Sequence, residues 1–283
     1  MRKWSLFLGV YFVICVLAAC ASAPAGENTG IVSEEQPTCG PGVPYSVICR
    51  AVDGAEEGTL LLAEADSDVP AIYTLSITED IAHLPDEPLR NGQLIHVAYR
   101  SVLETYPAQL AEVSDITIMH DGFDDRAALY LRVLEDLWTV DSGLNESGVE
   151  YIGTDLSATS LSPAEQAAVA HVFAQRHGAQ GVTGTLEELT ERGYITATPI
   201  VASGSGEPLD GEEVFYFHEW KNGCFFAIVE EPVEEPVQEL ASVTFTAHKW
   251  RSSLGAYWFS DCTARQNELG EWSDYTVGAE MIS

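Results

Sequence analysis

Asn91-Gly92-Gln93-Leu94-Ile95-His96-Val97-Ala98-Tyr99-Arg100 is the stretch on which the fold reading turns. The Asn-Gly pair supplies a turn, and from Gln93 to Arg100 the residues alternate with a period of two. Ile95, Val97 and Tyr99 point to one face, and His96 and Arg100 to the other. That is the pattern of a half-buried β-strand. Similar short apolar runs lie upstream at Tyr45–Val52, Thr59–Ala63 and Ile72–Ile77, and downstream at Ile116–Met119. Five strands spaced by turn residues predict a small all-β antiparallel barrel over residues 38–122.

Beyond His120-Asp121-Gly122-Phe123-Asp124-Asp125 the period changes. Ala127, Leu131, Leu134, Leu137 and Trp138 recur at helical spacing, with Asp124 as the expected N-cap. The acids before this helix lack the alternating ligands and closing glutamate of a calcium loop, so helix capping explains them and no metal site is assigned. Ser162-Pro163-Ala164-Glu165 and Thr185-Leu186-Glu187-Glu188 are capping boxes opening two more helices, which stop at Gly178 and Gly193. Strand patterns follow. Val214–Trp220 and Cys224–Val229 flank Asn222-Gly223, a hairpin signal. Ser242–His248, Ala256–Thr263 and Glu271–Val277 continue as a meander, and Glu230–Val237 duplicates an acidic Glu-Glu-Pro-Val tetrapeptide that reads as a solvated loop. Helices first and strands afterwards predict an α+β domain over residues 123–283, with the helices packed on an antiparallel sheet. A cystatin-like or NTF2-like arrangement is the expected form.

At the other end, Arg2 and Lys3 precede an apolar run from Trp4 to Val16, then Leu17-Ala18-Ala19-Cys20. The run is too short for a membrane span and has the flanks of a cleaved export signal. The four residues resemble the lipobox of bacterial lipoproteins: an aliphatic residue, two small ones and a cysteine. The resemblance implies that residues 1–19 are removed as a signal peptide and that Cys20 carries the lipid, palmitate included, that anchors the chain outside the cytoplasm on the cell membrane. Residues 20–37 are small, polar and turn-prone, and read as a flexible tether.

Two further segments carry a family resemblance. Gly92–Ser101 followed by Glu104-Thr105-Tyr106-Pro107-Ala108-Gln109 is similar to the last third of small OB-like domains in uncharacterised Gram-positive lipoproteins. Lys249–Tyr257 with Asp261-Cys262-Thr263-Ala264 is similar to the ends of clostridial lipoproteins. The resemblance implies an OB-like barrel at 38–122 and brings no catalytic residue with it.

Charge narrows the function classes. The chain has 44 acidic and 13 basic residues, a net charge of −31 at pH 7. Nucleic acid needs clustered cations to displace its counterions, so it is excluded as an expected partner. An acyl anchor tolerates the acidity because it holds by apolar burial. Once Cys15 and Cys20 are set aside, Cys39, Cys49, Cys224 and Cys262 remain. An even number in an exported chain suggests disulfides, with Cys39–Cys49 and Cys224–Cys262 the preferred pairs and free buried thiols the alternative.

Catalytic patterns are missing. His218-Glu219 has Asn222 where a zinc motif needs its second histidine, and Gly204-Ser205-Gly206 is not a nucleophile elbow. Cys262 with His248 and Asp261 offers a cysteine–histidine arrangement, for which a packed or bridged cysteine is the simpler account. No cofactor motif is present. Trp250, Arg251 and Tyr257 form a candidate partner surface, since they combine aromatics with scarce positive charge, but packing on their own sheet, with Arg251 paired to an internal carboxylate or backbone carbonyl, is the favoured account. The expected function is therefore a lipid-anchored binding module for a protein, peptide or wall polymer. The alternative is a hydrolase whose active site is dispersed over the C-terminal domain.

Overall fold

In the computed structural model, residues 44–146, 148–200, 214–231 and 241–283 are described. The expected leader and tether, Cys20, Cys39, Gly204-Ser205-Gly206 and most of the duplicated Glu-Glu-Pro-Val stretch lie outside them. Among the described residues no helix is long and apolar enough to cross a membrane. The described residues are mostly β, with two mixed sheets and three α-helices.

The first sheet holds β1 (Tyr45–Asp53), β2 (Thr59–Glu64), β3 (Ile72–Ser76), β4 (Leu94–Tyr99), β5 (Ser101–Leu103), β6 (Ala108–Ala111) and β7 (Asp115–Met119). Their order is β5-β6-β3-β2-β1-β4-β7, and no closed barrel is found among the described residues. Alternation in β4 works as expected: Val97 opposes Val47 and Ile95 opposes Cys49, and all but the half-buried Val47 lie fully buried. Two features correct the sequence reading. Seven strands replace five, and β3 pairs with β6 in parallel. The added strands, β5 and β6, are only three and four residues long, below the length at which a period is legible.

β2 explains how this sheet joins the rest. Its Leu60 and Leu62 face the sheet's own core, whereas Leu61 and Ala63 face a larger core built on the helices. A strand covered on both sides reads as a continuous apolar run, here Thr-Leu-Leu-Leu-Ala-Glu. The covering element is α2 (Pro163–Arg176), which packs beside α1 (Arg126–Thr139). The expected N-cap shifts by one residue, to Asp125. Asp124 Oδ1 still accepts from Arg126 N at 3.0 Å, and the Asp124 and Asp125 carboxylates also accept from the Trp272 indole and backbone nitrogens at 3.1 and 2.9 Å. Both predicted capping boxes form, at Ser162/Glu165 and at Thr185/Glu188, the latter opening α3 (Leu186–Glu191).

The second sheet contains β8 (Tyr151–Asp155), β9 (Gln180–Thr183), β10 (Thr196–Ile200), β11 (Phe215–Glu219), β12 (Gly223–Glu230), β13 (Ser242–Ser252), β14 (Gly255–Gln266), β15 (Trp272–Thr276) and β16 (Ala279–Ile282). Its main path is β10-β11-β13-β12-β8-β9, with β14 on β13 and both β15 and β16 on β14. The expected antiparallel sheet is corrected: β8 runs parallel to β9 and to β12. The reason is a strand–helix–strand unit, in which α2 carries the chain back so that β9 starts at the same end as β8.

The expected Asn222-Gly223 hairpin is also corrected, because β13 separates β11 from β12. Gly223 serves a different purpose. A Cβ there would fall inside the Trp220 indole, so the glycine lets that fully buried ring lie on the backbone. Asn222 O meanwhile receives the backbone N–H groups of Glu150 and Tyr151, which starts β8. α1 and α2 cover one face of the sheet. α3 covers part of the other through Leu189, which packs with Val182, Ile195, Trp220 and Phe225.

Candidate functional site

Because β8 and β9 are parallel and joined by α2, their carboxyl ends open on the same side. In open α/β sheets that side is where ligands are received, since loops and helix starts converge there. Here it forms a crevice of about 330 Å³. Thr154, Asp155 and Ser157 enter from β8 and its following turn, and Thr183, Gly184 and Thr185 from the end of β9. Gln166 and Ala167 come from α2, Glu188 from α3 and Pro70 from the loop before β3. The two strand ends are tied by Gly184 N donating to Thr154 O at 3.2 Å. Gly184 has φ of +137°, and a Cβ would stand 2.8 Å from Glu188 Oε2, so the turn requires glycine.

The distinctive group is Thr154. Its side chain is buried, at 2% exposure, and its Oγ1 has no hydrogen-bond partner. Leaving a buried hydroxyl unpaired costs about 1–3 kcal/mol, and such groups in folded proteins call for an explanation. Its neighbours are already engaged. Asp155 Oδ1 accepts from Ser157 N at 3.0 Å and Ser157 Oγ at 2.6 Å. Gln166 donates its Nε2 to Leu161 O at 2.8 Å, which leaves its carbonyl oxygen as an acceptor. Glu188 Oε2 accepts from Thr185 N at 2.9 Å in the α3 capping box. No lysine, arginine or histidine lines the crevice.

Positive charge elsewhere is largely committed within the chain. Arg50 pairs with Glu165, Arg90 with Glu271, Arg132 with Asp274, and Arg176 with Asp53 and Glu135. Arg126 lies over the Trp272 ring and Arg192 over Tyr194. Lys249 is fully buried, with Nζ donating to Val140 O, to Asp141 O at 3.1 Å and to Asn145 Oδ1 at 2.8 Å. It thus closes the carboxyl end of α1, where carbonyls lack helical donors and a cation is favourable. Burial pulls its ammonium below the usual lysine range, while Cys224 and Asp141 act in the opposite direction.

The residues expected to form a partner surface separate. β13 alternates, so Trp250 and Arg251 point to opposite faces. Arg251 donates to Leu144 O at 3.0 Å and Lys221 O at 2.9 Å, and so ties the loop after α1 to the turn before β12. Tyr257 is buried with its hydroxyl bonded to Glu280. Trp250 alone lines a shallow groove, with Leu186, Glu187, Glu191 and His218.

Cys49, Cys224 and Cys262 are buried free thiols, and the Cys39–Cys49 pairing lies outside the described residues. Cys224 lies at the Trp250–Arg251 end of β13, whereas Cys262 opposes Phe245. Six residues of strand separate those levels, about 20 Å at the usual rise, so Cys224 and Cys262 do not bridge. Burial pushes both thiols up to about 12, and Cys49 upward as well. A protonated thiol is a poor nucleophile. Cys262 also faces the large core, while His248 faces the opposite side of β13 next to Phe225 and Trp258, so the sheet itself separates the two.

The sequence reading missed Thr154, Gln166 and Thr183 because they belong to no motif. Their only signal was the spacing of Tyr151-Ile152, the Ser162 capping box, Gly178 and Val182, which reads as strand, helix and strand once β8 and β9 are known. No protein-family model, curated protein or solved structure matches the chain.

Proposed function

We propose that this chain is an extracytoplasmic lipoprotein, held to the cell membrane through acylated Cys20, and that it binds a ligand at the crevice between β8, β9 and α2. The observation that carries the binding role is that Thr154, whose buried hydroxyl has no partner, lines the crevice together with Asp155, Gln166 and Thr183. A polar ligand that bonds this hydroxyl removes its desolvation cost. Binding rather than catalysis fits the crevice, because its hydroxyl–carboxylate contact, Ser157 Oγ on Asp155 Oδ1, is a local turn whose oxygen also takes Ser157 N, and Glu188 Oε2 is engaged in a helix cap.

Two experiments test the two halves. Fatty-acid labelling marks the wild type and leaves Cys20→Ser unmarked; equal labelling of both removes the anchor. A library of neutral, cationic and anionic small solutes, titrated while amide signals are followed, shifts Thr154, Ala167 and Gly184 for at least one chemical class. If no solute moves these signals, the crevice is not a ligand seat.

We also infer an OB-like architecture for the first sheet. β4 and β5 are separated only by Arg100 and amount to one bent strand. Its first part pairs with β1 and its second with β6, while β6 pairs with β3. The resulting circuit of β1, β2, β3, β6 and the bent strand supports a partly open five-stranded Greek-key barrel.

A further inference from the structure

We infer that the crevice takes one uncharged polyhydroxylated unit, a sugar ring or short polyol. This inference rests on reading the crevice as the ligand seat and adds the ligand's chemistry. Anions are disfavoured three times over. Asp155 and Glu188 line the crevice without a basic side chain, the chain carries a net charge of −31, and the first turn of α2 has little to offer an anion. Pro163 has no N–H there, Glu165 N is taken by Ser162 Oγ, and Gln166 N is taken by Ser162 O. The attraction that helix starts usually exert on anions is thereby largely used up.

A cation is not required either. Two donors already reach Asp155 and one reaches Glu188. What remains unspent is acceptors and hydroxyls: the second Asp155 oxygen, the Gln166 carbonyl and the Thr154 hydroxyl. A hydroxyl both donates and accepts, so vicinal hydroxyls on a ligand match that set. Pro70, Leu156, Pro163 and Ala167 supply apolar contact for the C–H faces such a molecule also presents. The volume of about 330 Å³ accommodates a single ring.

The test uses the full chain in a detergent without a sugar head group. The titrants are glucose and N-acetylglucosamine as neutral rings, glycerol as a short polyol, glucuronate as an anionic ring and glucosamine as a cationic ring. A neutral ring or polyol is expected to shift the Thr154, Ala167 and Gly184 amides saturably, with glucuronate and glucosamine at least tenfold weaker. Thr154→Val keeps the shape but removes the hydroxyl; it is expected to weaken binding about tenfold, the loss of one hydrogen bond. Its Tm should match or exceed that of the wild type, so lost binding is not lost folding. Tighter binding of either charged ring overturns the neutral-ligand inference and leaves the seat standing. Unchanged affinity in Thr154→Val also overturns it. Silence of these amides towards every titrant removes the seat itself.

Discussion

Arg50 of β1 and Glu165 of α2 meet with Nε 2.7 Å from Oε1, both side chains more than four-fifths buried, and this pair locks the first sheet to the second half of the chain. Arg50 also donates to Gly92 O at 3.0 Å and Gly122 O at 2.7 Å, so one guanidinium holds two turns and a helix. Glu165 has a second task, because its Oε2 accepts from Ser162 N in the capping box.

The two tasks separate by mutation. Arg50→Met strands a mostly buried carboxylate and two carbonyls, and is expected to cost about 3 kcal/mol. Glu165→Gln removes the charge but keeps the capping geometry, since glutamine serves at that position, and should cost about half as much. Urea unfolding of both variants checks this. An Arg50→Met variant within about 0.5 kcal/mol of wild type would show that the contact carries no weight.

Lys249 gives a second stability prediction. Its ammonium is the donor to Val140 O, Asp141 O and Asn145 Oδ1 at the end of α1, and all its acceptors are uncharged. Replacing it with methionine removes a costly buried charge but leaves those acceptors unpaired. The second effect dominates, because a deprived buried carbonyl costs about 1–3 kcal/mol and three acceptors are involved. Lys249→Met should therefore lower stability by about 2–4 kcal/mol. Thermal unfolding decides, and a stabilised variant would mean that the charge is a net burden.

Lysine 249 also shows what the sequence made legible. Its scarcity in an acidic chain drew attention to Lys249–Tyr257, and the segment proved to be held by positive charge, but inwardly. Alternation in β4, the capping boxes of α2 and α3 and the β13–β14 meander were readable because each is local: a period, a four-residue motif, adjacent strands. The parallel pairs of β8 were not, because pairing partners some 30 and 70 residues apart leave no local mark. Asn222-Gly223 misled for a related reason: the glycine answers to Trp220 packing rather than to a hairpin. Thr154 was invisible because its meaning lies in what it lacks, a partner, which only packing reveals.

His248 sets a pH response. Burial lowers its imidazole pKa below the ordinary 6.5, with the Asp155 charge opposing that shift more weakly. Just below pH 6.5 the unfolded chain therefore binds more protons at this site than the folded one, and stability rises with pH through that window. Acidification from pH 7 towards 5 should destabilise the wild type more than His248→Gln, which does not titrate there. Chemical denaturation of the two proteins at pH 7, 6 and 5 measures the difference. Parallel curves would show that His248 is charged in the folded state.

The thiols provide the last prediction. Cys224 and Cys262 stand at distant levels of the sheet, are fully buried, and are pushed up to about 12. At pH 8 a thiol of that kind is thiolate in roughly one molecule in ten thousand, against roughly a quarter for an ordinary cysteine. Both burial and protonation therefore protect them from an alkylating reagent while the chain is folded. Under denaturant without reductant, both should alkylate at once, because no bridge holds them. Peptide mapping by mass spectrometry reads each site separately, so the state of Cys39 and Cys49 does not confuse the result. Recovery of a Cys224–Cys262 disulfide from the denatured, unreduced protein would contradict the sheet register, since bridging across about 20 Å demands that β12, β13 and β14 pair differently.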